Sequence, residues 1–168
     1  MKKLLYMILG LLLLGSCGNN QKVEREQDYI ETLRGSYENV ERENPGMTLK
    51  IVTCTFSGDL RTPGDTIRIT DWQAIYQDAE KCIAISPDDT TILKGRTSGD
   101  LGDIRADELD MTLREAVEIL REANYMLPRT QILVIQKPKS FIHPLYVFGS
   151  GYEGFFGVDL TTKKVYKL

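Results

Sequence analysis

The chain has 168 residues but only one histidine, one tryptophan and three cysteines. A single imidazole, His143, cannot build a metal site alone, and no His or Cys pair stands at ligand spacing. No G-x-S-x-G elbow is present, and Ser140 and Ser150 sit in turn-like contexts, so a triad around His143 has no evident nucleophile. No glycine-rich loop leads from a strand into a helix; the GSGYEG segment at 149–154 lies between two strand-like runs. Carboxylates outside one linker are spread singly, so no acid–base pair can be picked out. Basic residues do not cluster, and 21 Lys and Arg face 24 Asp and Glu, which leaves nucleic acid without an electrostatic footprint. The expectation is a protein with no catalytic residues, no metal and no cofactor; a hydrolase with an unrecognised site near His143 is the weakest alternative.

Long hydrophobic runs are also missing, with one short exception at the start. Lys2 and Lys3 precede an apolar run of eleven residues, Leu4 to Leu14. That run is too short to cross a hydrocarbon core of about 30 Å as a helix. Leu14-Gly15-Ser16-Cys17 follows and resembles a bacterial lipobox. The resemblance implies cleavage before Cys17 and acylation of Cys17, with two or more acyl chains as a firm membrane anchor. Residues 1–17 are therefore read as a lipoprotein signal peptide. Gly18 stands where an aspartate would signal inner-membrane retention, so the expected location is the cell envelope, at the outer membrane. Residues 18–23 read as a polar tether. Losing the two leader lysines takes the formal net charge from −3 to −5.

What remains is ordinary for a folded body: 42% hydrophobic and 27% charged residues. Thr112-Leu113-Arg114-Glu115 fits a capping box. Leu113, Ala116, Val117, Leu120 and Ala123 then recur at helical spacing, and Pro128 bounds the helix. Three apolar runs follow, TQILVIQ, PLYVFGS and GFFGVDLTTKKVYKL, with glycines between them. The pattern is one helix and an antiparallel meander.

The first half repeats this plan. Ile30, Leu33, Tyr37 and Val40 give a helical stripe over about 24–43. Laying Trp72 on Leu145 and continuing without a gap places Ile75, Ile83, Ile85 and Ile92 on Phe148, Phe156, Val158 and Val165. The preceding strands match when Pro45 is laid on Pro128 instead. The mismatch between the two alignments is an insertion around residues 57–65, rich in turn formers. The predicted fold is α+β: two helix-plus-antiparallel-meander repeats of α-β-β-β type, at 24–98 and 99–168, packed together because each alone has a thin core.

Helix, proline, strand, aromatic strand and then Phe156-Gly157-Val158-Asp159-Leu160-Thr161-Thr162-Lys163-Lys164-Val165 resemble a PepSY-like domain and its terminal hairpin. Thr162-Lys163-Lys164 replaces the glycine usual in that turn, and Ser86 stands where Asp159 has its counterpart. A tandem of such units is similar in plan to secreted β-lactamase inhibitory proteins. The resemblance implies a non-enzymatic binding protein, with peptidase inhibition or regulation as one form of it.

Four further expectations concern particular residues. Cys54 and Cys82 fall on the first and third strands, about 9–10 Å apart if the second lies between them, beyond disulfide reach; a different strand order would pair them. The acidic stretch 97–110, with Asp100, Asp103, Asp107, Glu108 and Asp110, has the ligand density for Ca²⁺ but no EF-hand spacing, and reads as a linker. If Ile75, Ile83 and Ile85 meet the helix, then Trp72 and Tyr76, with Leu145 and Phe155 in the second half, form the opposite sheet face. That face either binds a protein or peptide partner from the envelope or is sealed between the repeats. A small-ligand or lipid-binding module, with a pocket lined by Phe148, Phe156 and Tyr166, is the alternative.

Overall fold

A computed structural model describes residues 17–65, 67–87, 89–93, 101–125, 132–150 and 154–168. The expected leader before Cys17 lies outside them. The chain forms α1 (Cys17–Glu43), β1 (Thr48–Ser57), β2 (Arg68–Gln77), β3 (Cys82–Ser86) and β4 (Asp89–Leu93). A 3₁₀ turn (Ala106–Glu108) then leads to α2 (Leu113–Glu122), β5 (Ile132–Gln136), β6 (Leu145–Ser150), β7 (Gly154–Asp159) and β8 (Val165–Lys167). The fold is α+β and mostly sheet. All eight strands join one antiparallel sheet in the order β4-β3-β2-β1-β5-β6-β7-β8.

Residues 18–23, expected as a polar tether, are helical here, as part of α1, which runs continuously from Cys17 to Glu43. At 1.5 Å per residue this helix is about 40 Å long. Ile30, Leu33 and Val40 are buried and Tyr37 packs beside them, as the stripe requires. The capping box of α2 forms: Glu115 N–H donates to Thr112 Oγ1 at 3.2 Å, and Thr112 N–H donates to Glu115 Oε2 at 3.0 Å. Leu113, Ala116, Val117 and Leu120 are buried. The helix stops at Glu122, well before Pro128, because Asn124 turns left-handed at φ 57°. Ala123, expected on the buried face, is exposed at that cap.

Both helices cover the same face of the sheet. Their buried side chains join a single core with Leu49, Val52, Trp72, Ala74, Tyr76, Ile83, Leu133, Ile135, Tyr146, Phe148 and Val158. Leu145 and Val147 alternate with Tyr146 and Phe148, so they face the other way. A row on the helix side runs through every strand: Thr90, Ile85, Ala74, Val52, Ile135, Tyr146, Val158, Val165.

Two connections contribute to the core rather than merely turning the chain. In the β1–β2 loop Leu60 is buried, and Arg121 of α2 donates to the carbonyls of Leu60 and Thr62 at 2.6 and 3.0 Å. In the linker Ile104 bridges to Leu49 and is buried with Leu109. The third expected run of the second half divides into β7 and β8 around a tight turn. There the buried Asp159 carboxylate accepts N–H bonds from Thr161 (2.9 Å) and Thr162 (2.7 Å), and Lys163 takes φ 59°.

Candidate interaction surface

The register of β2 against β3 decides which aromatics are available to a partner. Tyr76 stands opposite Ile83, and Ala74 opposite Ile85, while Ile75 stands opposite Ala84. Trp72, Ala74 and Tyr76 therefore share the helix side with Ile83 and Ile85. The expectation that Trp72 and Tyr76 point away from the helix is overturned: it assumed a register one residue off, and such a slip exchanges the faces of a strand. Tyr29 of α1 meets Trp72 edge-on at 6.5 Å between ring centroids, and Tyr37 meets Tyr76 at 6.2 Å. The Ser36 and Tyr76 hydroxyls lie 3.3 Å apart. Burial pushes the Tyr76 phenol up to about 12. Next to Trp72, Tyr29 Oη and Cys54 Sγ are 3.2 Å apart, and burial pushes the Cys54 thiol up to about 11.

Cys54 and Cys82 are both buried and not joined to each other. β2 separates their strands, and Cys54 lies on the helix side whereas Cys82, one step from Ile83, faces the other way. The strand-order argument against a disulfide therefore holds.

Leu145 and Phe155 do lie on the far face, the side without helices. Leu145 is fully buried there and Phe155 is 36% exposed. Two glycines make room for this layer. A Cβ at Gly149 would collide with the Phe155 ring, and one at Gly157 would stand 3.0 Å from Leu145 Cδ1 and 3.3 Å from Leu168 Cδ1. Phe141, from the β5–β6 connection, packs edge-on against Tyr166 at 5.0 Å. Ile142 beside it is 80% exposed and Leu168 45%. Sequence reading did not find Phe141, Ile142 or Leu168; they sit in a loop and at the chain end, where period-two alternation carries no signal.

The expected ligand pocket does not assemble. Phe148 is fully buried in the core, Phe156 packs on Tyr125 at 5.3 Å on the same side, and Tyr166 belongs to the far face. His143 is half-buried in the β5–β6 connection and Ser140 is exposed. Among the described residues, no three His, Cys, Asp or Glu side chains group to hold a metal ion. The linker acids have basic partners: Asp103 with Lys50, Asp107 with Arg105, Glu108 with Lys137 at 2.9 Å, and Asp110 with Arg34 at 2.8 Å. Lys50 and Thr48 hold the Asp103 carboxyl below the usual carboxylate range. Asp100 lies outside the described residues.

A groove of about 800 Å³ opens between α1 and the β3–β4 hairpin. Thr32, Gly35, Ser36 and Asn39 form its helical wall, and Ile83 and Ile85 its floor. A smaller recess of about 260 Å³ lies between the 107–111 segment and the β7–β8 turn. No helix of the described residues is long and apolar enough to cross a membrane. No family model, curated protein or solved structure matches the chain.

Proposed function

We propose that this chain is an envelope lipoprotein, anchored through acylated Cys17, that engages a protein or peptide partner through the far face of its sheet and performs no chemistry itself. The observation that carries the reading is the one-sided cover of the sheet. Both helices pack on one face, and the other carries Phe155, Tyr166 and Leu168 beside the exposed Ile142. Aromatic and large aliphatic side chains in the open are the usual anchors of an interface.

We also read the two halves as PepSY-like repeats sharing one sheet. The helix-side row supports this. Val52 stands opposite Ile135 at the centre, the same two residues that meet when Pro45 is laid on Pro128, and the pairs around them reverse: Ile51 with Gln136, Thr53 with Val134. Moving outward, Ala74 corresponds to Tyr146, Ile85 to Val158 and Thr90 to Val165. The strand order thus reads alike from the centre in both directions. The β7–β8 turn carries the Asp-x-x-Thr motif of the resemblance as a working device, with Asp159 capping the turn.

Two experiments test the reading. Cells fed an alkyne-bearing palmitate should label the wild-type chain in the membrane fraction, and Cys17→Ser should lose both label and sedimentation; label retained by Cys17→Ser refutes the anchor. A photo-crosslinking amino acid at Phe155 should give a discrete adduct in cells, and the same group at Glu118, exposed on α2, should not. Identical adduct patterns from both positions refute the far face.

A further inference from the structure

The two edges of the sheet are guarded unequally. β8 has three residues, ends in Lys167 and follows Lys163 and Lys164. β4 has five residues, pairs with β3 in five consecutive rungs without a bulge, and contains no lysine and no proline. Among the described residues, nothing pairs with its outer side. Charged side chains, above all lysine, together with proline, bulges and very short length, keep an edge from accepting another strand, and within β4 the one such device is the charge of Asp89.

The groove lies on the helix side of this same edge, and its lining includes Asp89 and Thr90 of β4. Ile92, two residues from Thr90 and on the same face, is 69% exposed. A strand added beside β4 would satisfy the open backbone groups and send alternate side chains to the groove side, next to Thr90 and Ile92. The charged residues lining the groove are Glu43 and Asp89, both acidic. Two bases stand at the rim on lining amides: Arg42 donates to Asn39 and Lys81 to Asn44, and Arg42 also lies 4.0 Å from Glu43 in an exposed pair worth little, which leaves Asp89 as the acid at the β4 edge. Gly35 stands in the middle of α1, where glycine weakens a helix. Its φ is not left-handed and a Cβ there would meet nothing within 4 Å, so neither backbone nor packing requires it. Its effect is to leave the helical wall bare.

We infer that the β4 edge and the adjoining groove form a strand-addition site for an extended, cationic peptide segment of a partner protein. The site is separate from the far face and stands whether or not that face binds.

The test uses the full chain and two biotinylated ten-residue probes, one alternating valine with lysine and one alternating valine with glutamate. The lysine probe should bind at least tenfold more tightly and slow amide exchange at residues 89–93. Gly35→Leu, which fills the groove, and Ile92→Lys, which guards the edge, should each abolish binding. Gly35→Leu should also raise the melting temperature, which separates lost binding from lost fold. No binding at millimolar probe, binding unaffected by Gly35→Leu, or protection at 154–159 instead of 89–93 would overturn the site. So would a concentration-dependent dimer that Ile92→Lys dissolves, since the occupant would then be a second copy.

Discussion

Ile75 and Tyr76 are neighbours on β2 that should differ sharply when truncated, because the helices cover only one of them. Tyr76 is fully buried, packs on Tyr37 and shares a hydroxyl contact with Ser36. Replacing a buried aromatic with alanine removes most of its apolar contact and leaves a cavity, for a loss of about 3–5 kcal/mol. Ile75 is half-buried on the far face, opposite Ala84 and with no helix above it. Ile75→Ala forfeits only part of an isoleucine's burial, about 1 kcal/mol. Tyr76→Phe removes the hydroxyl alone, about 1 kcal/mol. Urea unfolding followed by circular dichroism gives all three differences, with an unchanged m value as the check that the transition is the same. Equal losses for Ile75→Ala and Tyr76→Ala, or the reverse order, would refute the register and with it the assignment of faces.

Three other outcomes follow from local geometry. Lys163 at φ 59° sits where glycine is relaxed, so Lys163→Gly should stabilise the chain by about 0.5–1 kcal/mol, read as a higher melting temperature; its ion pair with Glu115, 3.8 Å apart on the surface, adds little. Asp159→Ala should cost about 2 kcal/mol in urea unfolding, because two turn N–H groups lose their buried acceptor, and Asp159→Asn should recover part. Above pH 9 stability should fall. The Cys54 thiol keeps its proton to about 11 in the fold but releases it near 9 when unfolded, so the unfolded state binds fewer protons in that window and gains by up to about 2–3 kcal/mol. Urea midpoints from pH 8 to 11 should drop less for Cys54→Val than for the wild type.

Elements governed by nearby residues were readable in the sequence. The capping box at Thr112 and the buried stripes of both helices rest on short-range spacing. The candidate face was read only in part. The expected face put Ile75 with Ile83 and Ile85, whereas the register of β2 against β3 puts Tyr76 and Ala74 with them. Such a slip of one position is invisible to a pattern of apolar residues when both neighbours, Ile75 and Tyr76, are apolar, and it exchanged the two faces. The β4 groove was not found, because it depends on how far α1 falls short of the sheet edge, a tertiary distance that no local signal encodes.

The seam between β1 and β5 has a kinetic consequence. The other six strand pairs close over short connections, whereas Val52 must find Ile135 across three further strands, a linker and a helix. Loop closure over so long a stretch comes with an entropic delay before any contact rewards it. On this topology the two half-sheets should form first, each exposing the strand that will become the centre. During that interval β1 of one molecule can meet β5 of another as readily as its own. Refolding yield should accordingly depend on protein concentration, with the loss traced to the middle of the sheet rather than to its edges.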